Sequence, residues 1–174
     1  MALDLSLKIQ DDNTSSDATT NKGKKSKNMK NPLKTPSGIE VQFIMPDDNQ
    51  IEISTDEAIV FNNILESVGT DIDYNLATGE FDLSSGVYVV DFWLFTNSSG
   101  SANSVALQVD GTTHSTARMM SESGHTSVGH GLLHIENGSS TITLINPESR
   151  SLYFSSFPDL EDSKVIGSII IYKL

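Results

Sequence analysis

Cysteine is absent from this chain of 174 residues, and its absence limits how the protein is stabilised and what chemistry it performs. Disulfides contribute nothing, and redox or thiolate catalysis is excluded. Small secreted domains more often carry disulfides, so the composition favours a protein assembled in a reducing interior. A run of about 18 or more apolar residues is also missing, which argues against a membrane-spanning helix and predicts no membrane insertion.

The N-terminus lacks the features of a secretory signal peptide. Residues 1–9 alternate polar with apolar side chains and have neither a basic start nor a continuous apolar stretch. If the protein works outside a cell, we expect it to leave by another route, such as lysis or assembly on a particle.

Basic residues are scarce in most of the chain. Residues 1–38 carry seven lysines and four aspartates, a net charge of +3. Residues 39–174 carry four basic and nineteen acidic residues, a net charge of −15, and the two parts together give the −12 of the whole chain. An acidic body repels a phosphate backbone, so no nucleic-acid partner is predicted.

The chain is predicted to divide into an N-terminal arm with a lysine-rich linker, residues 1–38, and a head, residues 39–174. Residues 10–38 are rich in Asp, Asn, Thr and Ser, and then in lysine, before Pro36. Such a stretch cannot bury enough surface to offset its ordering entropy. Its lysines either attach to an anionic partner or form a solvated spacer.

The first nine residues differ from this linker. An extended conformation places four apolar side chains on one face, those of Leu3, Leu5, Leu7 and Ile9. An isolated strand is not stable in water, so we expect this arm to dock on a partner. It either pairs with the sheet edge of another protein or folds back on its own head.

From Ile39 onward the pattern is typical of strands and turns. Alternating apolar residues at 39–45 and 51–53 flank a turn at 46–49 and predict a hairpin. Residues 59–61 form a short apolar run that predicts a strand, and residues 64–69 are interpreted as a loop or a brief helical turn.

The remaining turns divide the head into short strands. Asp110-Gly111 between alternating segments predicts a second hairpin. Further strands are predicted at residues 87–95, 105–109, 113–120, 128–135, 141–145 and 165–174. Residues 74–81 lead through a Thr-Gly turn into a strand that Phe81 opens, and residues 151–157 show a mixed pattern. About nine or ten short strands with turns at this spacing, and no helical pattern of useful length, predict an all-β sandwich.

The long strand at residues 87–95 is apolar on both faces. Its even-numbered positions from Tyr88 to Leu94 are all apolar, and its odd-numbered positions from Val89 to Phe95 are apolar except Asp91. The last strand shows the same feature, because Ile169 and Ile171 alternate with Ile170 and Tyr172. A two-layer sandwich covers only one face of each sheet. The second face therefore needs a subunit interface, or else loops or the arm, to cover it.

A set of turn glycines and aromatics recurs in order along the head: Phe61, Tyr74, Gly79, Phe81, Gly86, Tyr88 and Gly167. Together with the Asp110-Gly111 turn, this set resembles the globular head of the complement q subunit and the tumour necrosis factor superfamily. The resemblance covers residues 39–174. It implies a ten-stranded jelly-roll β-sandwich that forms a homotrimer, here with an extended N-terminal arm. On that layout the trimer interface comprises Val89, Trp93, Phe95, Ile170 and Tyr172.

The sequence departs from the complement type because no collagen repeat precedes the head. Microbial relatives, such as spore-surface heads and bacteriophage appendages, resemble it more in being short and free of cysteine. We therefore expect a non-enzymatic trimeric structural or recognition head on a virion surface, such as a head fibre, a capsid decoration or a tail-associated protein. The alternative is a spore-surface or secreted ligand-binding head.

Three partners follow from this prediction. The first is the protein itself, as a homotrimer. The second is a capsid, tail or other particle protein, which the arm would bind. The third is a host-surface receptor or glycan, which would meet the outer loops at residues 97–103 and 121–126.

Signals of catalysis are poor, so we predict that the protein is not an enzyme and carries no cofactor. The sequence contains no nucleophile elbow and no glycine-rich phosphate loop. His130 and His134 have the same parity on one predicted strand, but a metal site lacks a third ligand at a recognisable spacing. Some complement-type heads hold calcium, which here would draw on Asp71 and Asp73, too few ligands for that ion. A hydrolase on this scaffold would need a deep pocket that holds His130 and an acid.

Overall fold

A computed structural model describes residues 36–46, 50–96, 103–121, 125–154 and 164–174, with only the backbone for residues 114–121. This part of the chain forms ten strands and no helix, which confirms the all-β prediction. The strands are β1 Gly38–Ile44, β2 Ile51–Ile53, β3 Asn63–Val68, β4 Ile72–Asn75, β5 Glu80–Thr96, β6 Asn103–Val109, β7 Thr112–Ser121, β8 His125–Ile145, β9 Leu152–Phe154 and β10 Val165–Lys173. None of the described segments is a helix able to cross a bilayer.

Two very long strands organise the sandwich. The large sheet has the order β3-β1-β10-β5-β8-β6-β7, with β4 also paired to β5, and β2 pairs with β9 in a small second sheet. The second half of β5 lies between β10 and the first half of β8. The first half of β5 pairs instead with β4 and with the second half of β8. Both long strands therefore contribute to two parts of a sheet that encloses one core.

A bulge between β5 and β8 changes which side chains face the core. The register of β5 on β8 shifts between Ser84 and Gly86. Before this point the buried side chains are the odd-numbered Phe81 and Leu83, and after it they are even-numbered, beginning with Tyr88. The pairing advances by two residues on β5 but by four on β8, from Ser139 to Ile135, so the extra residues lie on β8 and the buried side chains change parity on both strands. The change places the whole second half of β5 in the register that leaves Trp93 pointing away from the core.

Aromatic rings link the two sheets. Phe43 of β1 packs on Phe154 of β9 with 4.8 Å between ring centroids, and meets Phe61 edge-on at 6.4 Å. All three rings are buried. Burial of each such side chain contributes about 1.5–3 kcal/mol, so this contact does much to hold the small sheet on the large one.

The second predicted hairpin is confirmed. β6 and β7 pair directly, and Asp110 and Gly111 both have positive φ, 47° and 75°. A two-residue turn of this kind matches the twist of the flanking strands.

Three local predictions are wrong. The predicted hairpin between β1 and β2 does not form, because β1 lies between β3 and β10 while β2 pairs with β9. Residues 64–69 were expected to be a loop or helical turn, yet most of them belong to β3 at the sheet edge. Residues 59–61 lie outside every strand, although Ile59 and Phe61 are fully buried as the pattern implied. Single-strand patterns cannot identify pairing partners that lie far away in sequence.

Candidate functional site

The outer surface of β10, β5 and β8 carries an unusual number of apolar side chains. Because strand side chains alternate, the residues between the buried ones on these strands point away from the core. We call this surface the apolar face and define it by Val89, Trp93, Val128, Leu132, Ile170 and Tyr172. Five of these side chains are exposed, from 37% for Trp93 to 66% for Leu132, and Val89 is half-buried.

The strand register places these residues in three rows. In the first row Trp93 lies between Ser168 and Val128. In the last row Val89 lies between Tyr172 and Leu132. Neighbouring strands are about 4.8 Å apart, so the side chains of a row are in reach of one another. The result is a contiguous apolar surface in the middle of a sheet, which is typical of an interaction site.

The middle row of the apolar face is partly polar. Asp91 of β5 lies between Ile170 of β10 and His130 of β8. Asp91 and His130 are both exposed, and they line a depression of about 270 Å³ together with Trp93 and Ser168. A carboxylate and an imidazole thus occupy the centre of an otherwise apolar surface.

A serine, a histidine and an aspartate in one depression invite comparison with a hydrolase triad. The strand order β10-β5-β8 places Asp91 between Ser168 and His130, whereas a triad requires the imidazole between the hydroxyl and the carboxylate. The Ser168 hydroxyl donates to Glu40 Oε1 at 3.3 Å, on the side of β10 away from β5 and His130. The arrangement therefore does not match the serine-histidine-acid order of a triad.

The five residues assigned to a trimer interface from sequence all point away from the core. Trp93, Ile170 and Tyr172 are exposed, and Val89 and Phe95 are half-buried. Sequence reasoning missed Val128 and Leu132, which are more exposed than any of the five. The sequence contained the information, because Val128, His130 and Leu132 alternate along one predicted strand and must therefore share a face.

The fold-motif residues Phe61, Tyr74 and Phe81 form one cluster. The Tyr74 hydroxyl donates to the Phe61 carbonyl at 2.8 Å, and its ring lies 4.3 Å from that of Phe81. Burial raises the pKa of Tyr74 to about 12, although the hydrogen bond to Phe61 opposes the shift. Gly79 turns the chain between the two rings with φ of 76° against the backbone of Val60. A Cβ on Gly79 would lie only 3.2 Å from the Val60 Cα.

The remaining motif residues lie near β10. Gly86 has φ of 155° and faces Lys173, and a Cβ there would overlap the Lys173 side chain. Gly167 packs against Leu94, where a Cβ would also overlap the neighbouring side chain. Tyr88 is fully buried, and its hydroxyl donates to the Ser84 carbonyl at 2.9 Å.

A polar cluster around Asp71 was not predicted as such. The Asp71 carboxylate accepts bonds from Lys173 Nζ at 2.7 Å, Ser84 Oγ at 2.6 Å and Ser37 Oγ at 2.9 Å. These bonds, that from Lys173 above all, hold the pKa of Asp71 well below its usual range. The same carboxylate raises the pKa of Lys173. The cluster fixes Ser37, directly before β1, to the last strand.

The residues considered as metal ligands lie on β4, on β8 and directly before β4. The Asp71 carboxylate is occupied by three donors, and Asp73 Oδ1 accepts from the Tyr74 amide at 3.0 Å. His130 and His134 share the outer side of β8, opposite Asp91 and Val87. Throughout the described ranges, no three His, Asp or Glu side chains come together as metal ligands.

Other predicted regions lie outside the described residues. These are the arm residues Leu3, Leu5, Leu7 and Ile9, and most of the two outer loops expected to meet a receptor. Gly38 belongs to β1, and Ser37 directly before it is buried.

Comparisons with known proteins identify the fold. No family model and no curated protein matches the sequence. Murine APRIL is similar in structure, with a TM-score of 0.55 and 10% identity over 80% of this chain and 99% of that one. Eiger TNF from S. frugiperda has a TM-score of 0.57 and 12% identity over 80% of this chain and 93% of that one. The globular domain of the zebrafish complement 1qA protein has a TM-score of 0.51 and 14% identity over 79% of this chain and 96% of that one. The chain therefore has the tumour necrosis factor and complement q jelly-roll fold, which confirms the resemblance.

Proposed function

We propose that this protein is a non-enzymatic, homotrimeric jelly-roll head that its N-terminal arm attaches to a larger particle. Three copies bury the apolar face against one another. The arm residues Leu3, Leu5, Leu7 and Ile9 add a strand to a protein of that particle. The outer loops, residues 97–103 and 121–126, are then presented to a host-surface receptor or glycan.

The observation that carries the proposal is the apolar face. Trp93, Val128, Leu132, Ile170 and Tyr172 lie together on adjacent strands in the centre of a sheet and are exposed in a single chain. Residues 39–174 carry a net charge of −15, and a contiguous apolar patch on such an acidic head is typical of a surface that another protein covers. Copies related by a closed rotation would cover it equally in every subunit.

The non-enzymatic assignment has its own support. The fold neighbours named above are murine APRIL, an Eiger TNF and a complement 1qA globular domain, and none of these names denotes an enzyme. The one depression that combines Ser168, His130 and Asp91 has the wrong order for a triad. The polar cluster around Asp71 serves the fold, because it joins Ser37, Ser84 and Lys173 to one carboxylate.

The particle that we favour is a bacteriophage virion, with the protein at its surface as a head fibre, a decoration or a tail-associated protein. Support comes from the cysteine-free composition and from the apolar alternation of the arm, which suits strand addition to a shell protein. The second candidate is a spore-surface or secreted ligand-binding head, which the same fold and the same apolar face would serve.

Mass in solution tests the trimer. Sedimentation equilibrium of the full chain at micromolar concentration should give three times the chain mass of 18.9 kDa. A stable monomer under these conditions contradicts the proposal.

Attachment is tested separately. Virions purified from a lysate on a density gradient should carry the protein, and a variant that lacks residues 1–35 should still trimerise but no longer sediment with them. Retention of the shortened variant on the particle would show that the arm is not the anchor. Detection of the full-length protein on spores and not on virions would favour the second candidate.

A further inference from the structure

We infer that trimer formation is linked to proton uptake by His130, so that the trimer strengthens as the pH falls from about 8 to about 5.5. This inference rests on the proposed trimer and adds a form of regulation to the same surface.

The middle row of the apolar face holds an acid beside an imidazole. Asp91 and His130 are direct cross-strand partners on β5 and β8. Apolar rows lie on both sides of the pair, led by Trp93 and Val89. In a single chain the carboxylate and the imidazole are exposed, so water solvates both groups. Any association that covers the apolar rows must also remove water from this pair.

When the pair is buried, its protonation state determines how favourable trimer formation is. A carboxylate that loses its water without a cationic partner costs several kcal/mol. An imidazolium on His130 would neutralise Asp91 from the opposite strand, at the short distance that cross-strand partners have. A neutral imidazole would instead leave three uncompensated carboxylates in one assembly. The trimer therefore binds more protons than three separate chains.

The other charged groups near the pair do not supply this neutralisation. On β10 the residue opposite Asp91 is Ile170, and the next acid along that row is Glu40 of β1. Glu66 of β3 lies opposite Glu40, so both add negative charge to the same surface. On β8 the next titratable group is His134, which lies opposite Val87 and not opposite an acid.

β7 also approaches β8 and carries His114 and Arg118, whose side chains lie outside the described residues. Among the described groups, His130 is the one cation-forming side chain directly opposite Asp91. The sign of the linkage follows from this. Whichever state binds more protons is favoured by acid, and the imidazole changes charge between about pH 5 and pH 8, while carboxylates stay ionised.

Sedimentation velocity of the full chain, at fixed ionic strength and at several pH values, tests the inference. The concentration at which half of the chains are assembled should rise by about ten-fold or more between pH 5.5 and pH 8. Asp91→Asn should remove most of this rise by keeping assembly strong at pH 8, because no carboxylate is left to neutralise. His130→Gln should remove it by weakening assembly at pH 5.5.

His134→Gln is the matched control, since it removes an imidazole from the same face of the same strand, and it should keep the wild-type pH dependence. Circular dichroism at each pH verifies that every variant is folded. A wild-type trimer of equal strength at all pH values overturns this inference and leaves the proposed function intact. Retention of the full pH dependence by Asp91→Asn also overturns it. Absence of association at every pH contradicts the proposed trimer itself.

Discussion

Lys173 Nζ lies 2.7 Å from Asp71 Oδ1 and joins the end of the last strand to the segment before β4. The Lys173 side chain also lies over the Tyr88 ring, 5.5 Å from its centroid. Because Ser37 donates to the same carboxylate, three segments far apart in sequence meet at one acid. This contact stabilises the point at which the chain enters the head.

Asp71→Asn should lower the free energy of unfolding by about 1–2 kcal/mol at pH 7, because it weakens three charge-assisted hydrogen bonds at a partly solvated site. The pKa of Asp71 is depressed in the folded state, so its contribution is complete above the ordinary value of about 3.9 and is lost as the pH falls further. The pKa of Lys173 is raised, so its contribution holds through neutral pH. Urea unfolding at several pH values measures the difference.

The gap between wild type and Asp71→Asn should stay constant from about pH 5 to pH 9 and narrow below about pH 4. Glu136→Gln, which removes an exposed acid of β8, serves as the control and should change stability by less than about 0.5 kcal/mol. A gap that widens in acid would contradict the proposed role of the carboxylate.

Tyr74→Phe should lower the free energy of unfolding by about 1–2 kcal/mol, because the buried Phe61 carbonyl loses its donor while the ring packing on Phe81 remains. Tyr153→Phe provides the control, since its 3.3 Å bond to Glu52 is exposed, and it should cost less than about 0.5 kcal/mol. Chemical denaturation of the two variants measures the difference.

The raised pKa of Tyr74 adds a test at alkaline pH. The unfolded chain releases this proton near pH 10 and the folded chain near pH 12, so the folded state loses stability as the pH rises through this interval. The Tyr74→Phe variant should not show this part of the loss of stability at alkaline pH. If all four tyrosines of the wild type ionised together near pH 10, the buried position of Tyr74 would be disproved.

The second half of β5 and the last strand were predictable because their alternation is uninterrupted. Tyr88 and Leu94 are buried and Trp93 points outward, as parity requires, and Ile169 and Ile170 divide in the same way. Positive-φ glycines such as Gly79 were equally readable, because only glycine adopts that conformation readily.

The rest of the fold depends on contacts that a local pattern does not contain. β3 was missed because an edge strand buries little, so Leu65 and Val68 are exposed and the period-2 signal is weak. The Asp71 cluster needs Lys173, 102 residues away, and no spacing in the sequence reveals such a pair. The bulge near Gly86 inverts the alternation, which made one long strand look like two.

Gly86→Ala should destabilise the head by about 1–3 kcal/mol, because a side chain is strained at φ of 155° and its Cβ would displace Lys173 from Asp71. Gly138→Ala is the matched control. It also has positive φ, 77°, but nothing lies within 4 Å of its added Cβ, so it should cost only about 1 kcal/mol.

A double-mutant cycle separates strain from displacement. If Gly86→Ala acts partly through Lys173, its cost should be smaller in the Asp71→Asn background than in wild type. Equal costs in both backgrounds would show that backbone strain alone is responsible.

The exposure of Leu132 on the apolar face provides the most direct mutational test of self-association. Leu132→Asp should leave the head folded but monomeric, because this side chain is 66% exposed in one chain and would be buried with its charge in a trimer. Leu76→Asp is the same change at a leucine of similar exposure, 50%, in the turn before β5 and away from the apolar face, so it should remain trimeric. Sedimentation velocity at about pH 5.5, where the inferred linkage favours assembly, reports the mass, and circular dichroism reports the fold. Equal association of both variants would mean that the apolar face is covered by something other than a second copy.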